Sequence, residues 1–220
     1  MTPPGTERFY SEDPELDRRR YDRPYREEVD IILSALDCVL NGEKAVYASS
    51  DLTTGRRFYR LLGGSGARDA AELKDKLGEQ EYRNRLFGPN SEAANAFARS
   101  LRERLDGKAL VIAPAPLIAP GWTQPEYLAF FETLIRTRVS AVYLNDGWEY
   151  SSGCTLEFAV ARVAGVPTFD AAGAPLDTAK GLELIRRAVR ELEEASIEPI
   201  GLRVHLAVLE RASAAQRVTE

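Results

Sequence analysis

The segment from Asn145 to Glu157, Asn-Asp-Gly-Trp-Glu-Tyr-Ser-Ser-Gly-Cys-Thr-Leu-Glu, gathers carboxylates, hydroxyls and glycines in one short turn. The apolar run Ala141–Leu144 before it reads as a buried strand, and Cys154–Ala164 after it reads as a helix. Gly147 and Gly153 make the turn between them small and mobile, and Ser151, Ser152 and Thr155 add hydroxyls. A strand, a Gly/Ser turn and a helix start together present unpaired backbone N–H groups, a donor set suited to an anion. Glu157 falls within the first turn or so of this helix, in reach of such a ligand. Val160, Ala161 and Ala164 follow it at helical spacing, so its carboxylate is expected on a small apolar face, turned inward or along a crevice wall. The plainer reading is a first-turn acid favoured by the helix dipole. A capping box does not account for it, because Ser151 or Ser152 as N-cap would need the acid at Cys154 or Thr155.

The elements that must position this turn alternate along the chain. Residues 1–23 are charged and Pro-rich and read as an irregular arm. A helix over 24–40 places Val29, Ile32, Leu33 and Leu36 on one side and stops at Asn41-Gly42. Lys44–Ala48 reads as a first strand, and the turn Ser49–Gly55 opens a short helix at Arg56. The Gly-rich stretch 63–68 lacks a Lys-Ser/Thr ending and reads as a flexible connection. Helices are predicted over 69–87 and 91–105, a second strand over 109–113, and a Pro-rich loop over 114–120. Trp122 and a helix over 124–136 follow. A fourth strand is predicted over 166–169, then helices over 178–195 and 201–212. Such alternation predicts one doubly wound α/β domain over 24–220, a parallel sheet with extra helices at both ends. Ligands bind outside the carboxyl ends of such strands, where Ser49–Gly55, Pro114–Trp122 and Asp146–Gly153 emerge.

Composition narrows the classes further. With 220 residues, 44% hydrophobic and 29% charged, the chain reads as a soluble globular protein. A net charge of -5 argues against general nucleic-acid binding. No apolar run approaches the ~20 residues of a membrane helix, so no membrane association is expected. The polar N-terminus and two distant cysteines, Cys38 and Cys154, predict a reduced cytoplasmic setting without a metal site. His205, the only histidine, is expected to pack rather than catalyse, and Cys154 to be a small buried residue. Leu202, Leu206 and Leu209 on one stripe, with Val204 and Val208 on another, predict a homodimer through the last helix.

Three sequence features together resemble the nucleoside 2-deoxyribosyltransferase family: Asp146-Gly147 with Ser152-Gly153 and Glu157, the strand Val46-Tyr47-Ala48-Ser49, and Thr53-Thr54-Gly55-Arg56-Arg57-Phe58-Tyr59. The resemblance spans roughly 44–170. It implies a flavodoxin-like, Rossmann-like sheet and an N-glycosidic bond as target, with no cofactor. It implies that Glu157 is the nucleophile, forming a glycosyl-enzyme that water or an acceptor base resolves. Tyr47 would orient it. Six residues before the nucleophile, family members acting on free nucleosides carry Asp, whereas those hydrolysing nucleoside 5′-monophosphates tend to carry Ser. Here it is Ser151, which points to a phosphate.

A substrate-binding set follows: Ser151, Ser152, Gly153, Gly147, Asp51, Thr53, Thr54, Gly55, Arg56 and Arg57, with Trp122 and Trp148 as stacking surfaces. Arg56 and Arg57 begin a helix, where the dipole disfavours cations and an anionic partner would explain them. The family's Asp at the start of the third strand is replaced by the Arg138-Val139-Ser140 region, leaving Asp146, Glu149 and Asp51 as candidate acids for the leaving base. Two rival readings remain: a nucleotide-binding sensor on the same fold, and a phosphoribohydrolase of the cytokinin-activating type, whose Gly-rich turn is shorter.

Overall fold

The computed structural model describes residues 23–117, 119 and 121–219. The predicted arm lies outside these, apart from Arg23, which opens helix α1, Arg23–Leu40. Four parallel strands form the sheet: β1 Ala45–Ser49, β2 Val111–Ile112, β3 Val139–Leu144 and β4 Thr168–Phe169. Their order is β2-β1-β3-β4, so β1 and β3 are hydrogen-bonded neighbours, with Ser49 opposite Leu144. The chain leaves β1 toward one edge and returns on the other side of it, which puts the switch point at the carboxyl ends of β1 and β3. This is an α/β fold of the flavodoxin/Rossmann-like kind, a parallel sheet flanked by helices.

Every residue of β1 is buried, as expected of a central strand covered on both faces. Its alternate side chains serve two cores. Val46 and Ala48 pack with Ala98 and Leu101 of the helix Gly88–Leu105. Tyr47 joins the larger core on the other face, among Phe130, Phe131, Leu156 and Phe158. That face is covered by three helices, Gln124–Arg138, Ser152–Val163 and Thr178–Glu194. Gly181 lets the last of these approach closely, since a Cβ there would lie 2.2 Å from the Phe158 ring.

Several expectations are corrected. Gly63, Gly64 and Ser65 are not a flexible connection but the last turn of the helix Arg56–Ser65, which ends at Gly66 in the left-handed conformation. The predicted helix over 69–87 breaks at Gly78 and then runs through a π-helical turn, Arg83–Phe87, straight into Gly88–Leu105. The last helix is longer than expected, Leu202–Thr219. Leu202, His205, Val208 and Leu209 of that helix are buried within the protomer, with Val204 left exposed. Part of the apolar face on which a homodimer was expected therefore packs internally, while Leu206 is half-buried and Val204 faces outward. Among the described residues no helix is long and apolar enough to cross a membrane.

Candidate functional site

Glu157 lies at the centre of a cluster built from both central strands. Its helix starts at Ser152, two residues earlier than the sequence suggested, so Glu157 is in the second turn and the helix-start explanation for it falls away. The side chain is buried, 4% exposed. The Tyr47 hydroxyl donates to Oε1 at 2.7 Å and the Ser49 hydroxyl to Oε2 at 2.6 Å. Tyr47 and Ser49 are two apart on β1 and share a face through the strand's period of two. Burial pushes the Glu157 carboxyl up to about 7, against the lowering effect of the Ser49 and Tyr47 hydrogen bonds. The Tyr47 phenol is itself raised by burial and by the Glu157 charge, so it remains a proton donor. One donor on each oxygen leaves lone pairs for an incoming electrophile.

The first and third loops meet as expected, and Thr54 joins them. Its Oγ1 accepts from the Ser152 N–H at 3.0 Å and lies 3.2 Å from Ser151 Oγ. Ser151 is the N-cap of the Glu157 helix, accepting from the Cys154 N–H at 3.3 Å. Two helix-start donors that the sequence reading offered to an anion are therefore already taken by side chains. The Ser152 hydroxyl faces Gly201, where a Cβ would come within 2.1 Å of it. Gly153 sits in the first turn between these residues, and Thr53 is exposed on the first loop.

Charged residues divide sharply. Asp51 is partly buried and accepts from Asn145 Nδ2 at 2.9 Å; burial raises its carboxyl, opposed by that hydrogen bond and by the nearby Arg57 and Arg56 charges. Gly55, at φ 111°, is obliged to be glycine by this arrangement, since a Cβ would meet Asp51 Oδ2 at 2.4 Å. Arg57 turns to Asn90 Oδ1 at 3.0 Å, and Asn90 in turn donates to the Leu52 carbonyl. Its place is thus in bracing the first loop. Arg56 packs beside Gly147, stacks over the Tyr150 ring at 4.7 Å and pairs with Glu149 at 2.9 Å. Glu149, 4% exposed, also pairs with Arg187 at 3.4 Å, so its carboxylate is held between two arginines. Asp146 is exposed on the turn. Ser140, an exposed residue at the amino end of β3, donates to the Ala45 carbonyl at the end of the sheet away from Glu157.

Both tryptophans are placed by packing. Trp148 is 3% exposed and lies against Phe158 at 4.7 Å between ring centres, so it is a core residue and not a stacking surface for a base. Trp122 packs edge-on to Tyr127 and Phe130 and donates to Glu28 Oε2 at 2.6 Å, tying α1 to the body. Cys154 is buried, and burial together with the Glu157 charge holds its thiol well above the ordinary range, which excludes a thiolate. His205 is buried against Thr155 at 2.9 Å and pushed down to about 4 by burial, a neutral packing residue as expected.

Sequence reading missed four polar groups of the site. Ser49 was findable, as the residue two beyond Tyr47 on a strand. Arg187 was not, being supplied by a helix remote in sequence. Ser50 Oγ and Asn145 Oδ1 are buried at the ends of β1 and β3 without a hydrogen-bond partner among the described residues. Unpaired buried polar atoms at a sheet's carboxyl edge are where a ligand would find its partners.

The comparisons with known proteins add one match. Residues 85–170, well under half of the chain but including the Glu157 helix, match the model of a family described as a domain of unknown function (DUF4406). No curated protein and no solved structure matches the chain.

Proposed function

We propose that this protein cleaves the N-glycosidic bond of a nucleoside or nucleotide, with Glu157 as nucleophile. The observation that carries the reading is the buried Glu157 carboxylate held on both oxygens by Tyr47 and Ser49 at the sheet's switch point. In this reading a Glu157 oxygen attacks C1′ of the sugar as the C1′–N bond breaks. The bonding pair goes to the base nitrogen, which takes a proton from Asp51, the candidate acid whose carboxyl burial raises. Water, or a second base, then attacks C1′ and releases Glu157. Ser50 and Asn145 offer the unpaired polar atoms for substrate contacts.

The test is incubation with a panel of nucleosides and their 5′-monophosphates, following release of free base by chromatography. Glu157→Gln keeps shape but removes the attacking charge. We expect turnover to fall at least ~100-fold with binding retained. Turnover like that of wild type would falsify the assignment.

A second reading, a nucleotide-binding sensor, is favoured by one fact. A carboxyl pushed up to about 7 is half protonated at neutral pH and can serve as a hydrogen-bond partner. The sensor reading predicts binding without base release from any member of the panel. The phosphoribohydrolase reading has less support, since the extra residues Trp148–Tyr150 form a 3-10 turn of their own inside the loop.

A further inference from the structure

The helix-start donors at Ser152 and Cys154 are already engaged, and a group of cationic side chains stands elsewhere, around a pocket. A pocket of about 650 Å³ opens between the helices Arg56–Ser65 and Thr178–Glu194, beside the 3-10 turn. This is the size of a small-molecule site. Arg56, Arg60 and Arg187 line it, and the carboxylates in contact with them are Glu149 and Glu191. Three guanidiniums against two carboxylates leave the walls positive. Glu191 is further engaged by the Tyr150 hydroxyl, and Glu149 is shared by two arginines. Arg60 is exposed and, among the described residues, makes no ion pair; its one hydrogen bond is a long one to the Arg56 carbonyl at 3.4 Å. Arg56 and Arg60 are one turn apart on the same helix, a like-charge spacing, and among the described residues only Arg56 has a carboxylate partner, Glu149.

Much of the remaining lining is aromatic or aliphatic. Tyr59, Leu192 and Ile197 contribute to it. The Tyr59 hydroxyl is buried and lies toward the Ile200 backbone without a well-aligned hydrogen bond. One turn beyond Arg60, Gly63 and Gly64 carry the pocket wall without side chains. Nothing lies within 4 Å of where a Gly64 Cβ would be, so packing does not demand glycine there. Glycine within a helix is less favourable than alanine. Its presence keeps open a space that any larger residue would fill.

We propose that this pocket binds a phosphomonoester carrying a flat ring, its phosphate between Arg60 and Arg187 and its ring over the Gly63–Gly64 turn. The site is separate from the Glu157 crevice and does not depend on Glu157 chemistry. It adjoins that crevice through Glu149 and Tyr150, which immediately precede the Ser151 N-cap.

The experiment is isothermal titration of the full chain with phenyl phosphate, adenosine 5′-monophosphate, adenosine and inorganic phosphate. Each probe is titrated against wild type, Arg60→Glu, Arg60→Ala with Arg187→Ala, Gly64→Leu and Glu157→Gln, with circular dichroism verifying the fold of each. The expected result is that wild type binds the two ring phosphates at least tenfold tighter than adenosine. Arg60→Glu and the double variant lose that preference, Gly64→Leu loses binding of both ring phosphates, and Glu157→Gln keeps it. Arg60→Glu alters an exposed side chain, so it remains a folded test even if Gly64→Leu is not. Phenyl phosphate, which has no glycosidic bond and so no claim on the Glu157 crevice, decides the matter: if it binds no better than inorganic phosphate, or if its binding survives Arg60→Glu and the double variant, the proposal is overturned. Base release is a separate readout, so loss of the glycosidase reading leaves this binding result standing, and the reverse holds.

Discussion

Glu157 carries a tension that can be measured at the residue itself. Burial holds its carboxyl near 7 while a nucleophile must be ionised. kcat/KM on a nucleoside substrate is therefore expected to be bell-shaped, rising with pH through about 7 as the free enzyme's Glu157 loses its proton and falling again as Asp51 loses the proton it must donate. A profile flat from pH 5 to 9 would contradict the nucleophile role. Tyr47→Phe removes one of the two donors to Glu157 and should move the rising limb upward, because a hydroxyl that stabilises the carboxylate is gone. Asp51→Asn tests the proton donor. Turnover should drop by ~10²–10⁴ on an ordinary nucleoside, and by much less on one whose base leaves readily without protonation. An equal loss on both substrates would remove Asp51 from that role.

At the scale of elements, the crevice depends on the join between the first loop and the start of the Glu157 helix. Thr54 supplies that join through a single oxygen, engaged with the Ser152 N–H and close to Ser151 Oγ. Thr54→Val keeps the shape and leaves the Ser152 donor unpaired. A destabilisation of about 1–2 kcal/mol by urea unfolding is expected, with a looser first loop. Stability equal to wild type would mean that water replaces the bond at no cost. The helix Thr178–Glu194 is seated by Gly181 against Phe158. Gly181→Ala forces that ring or that helix to shift, and a loss of roughly 1–3 kcal/mol is expected. Because Arg187 is on the same helix, the Glu149 pairing should loosen with it.

At the scale of the whole molecule, two buried groups, Glu157 and His205, have shifts of opposite sign in the acid-to-neutral range. Glu157 has a folded value of about 7, above its unfolded value, so it favours folding at low pH and that contribution is lost as pH rises toward 7. His205 has a folded value of about 4, below its unfolded value. Its contribution is present above the unfolded value and is lost as pH falls toward 4. Each shift corresponds to roughly 3 kcal/mol over its full range. Between about 4.5 and 6.5 the two slopes oppose, and wild-type stability should vary little with pH from this pair. Glu157→Gln removes one slope. The variant should be more stable than wild type at pH 8, and its Tm should fall as pH drops below 6.5. A variant that tracks wild type at every pH would mean that Glu157 is not strained by burial.

Local pattern carried much of this. The apolar run ahead of Asn145 and the carboxylate on a small-residue helix face are properties of a few adjacent residues, and they placed β3 and Glu157 before any contact was known. Helix α1 and the strand at Tyr47 were legible for the same reason, since periodicity is written within each element. Boundaries were less so. The Gly63–Gly64 turn reads as a loop by composition but stays helical, because packing of Phe58, Tyr59 and Leu62 holds the helix to its end. What only the tertiary structure decided are the pairings across the chain. Tyr47 meets Glu157 across 110 residues, and Glu149 gathers Arg56 from one helix and Arg187 from another. Thr54 and Ser151 take up two of the amides that the turn sequence offered to an anion. These contacts follow from the strand order β2-β1-β3-β4, which brings the loops after β1 and β3 together. That order arises from the packing of helices on both faces of the sheet, a cooperative outcome that no single segment encodes.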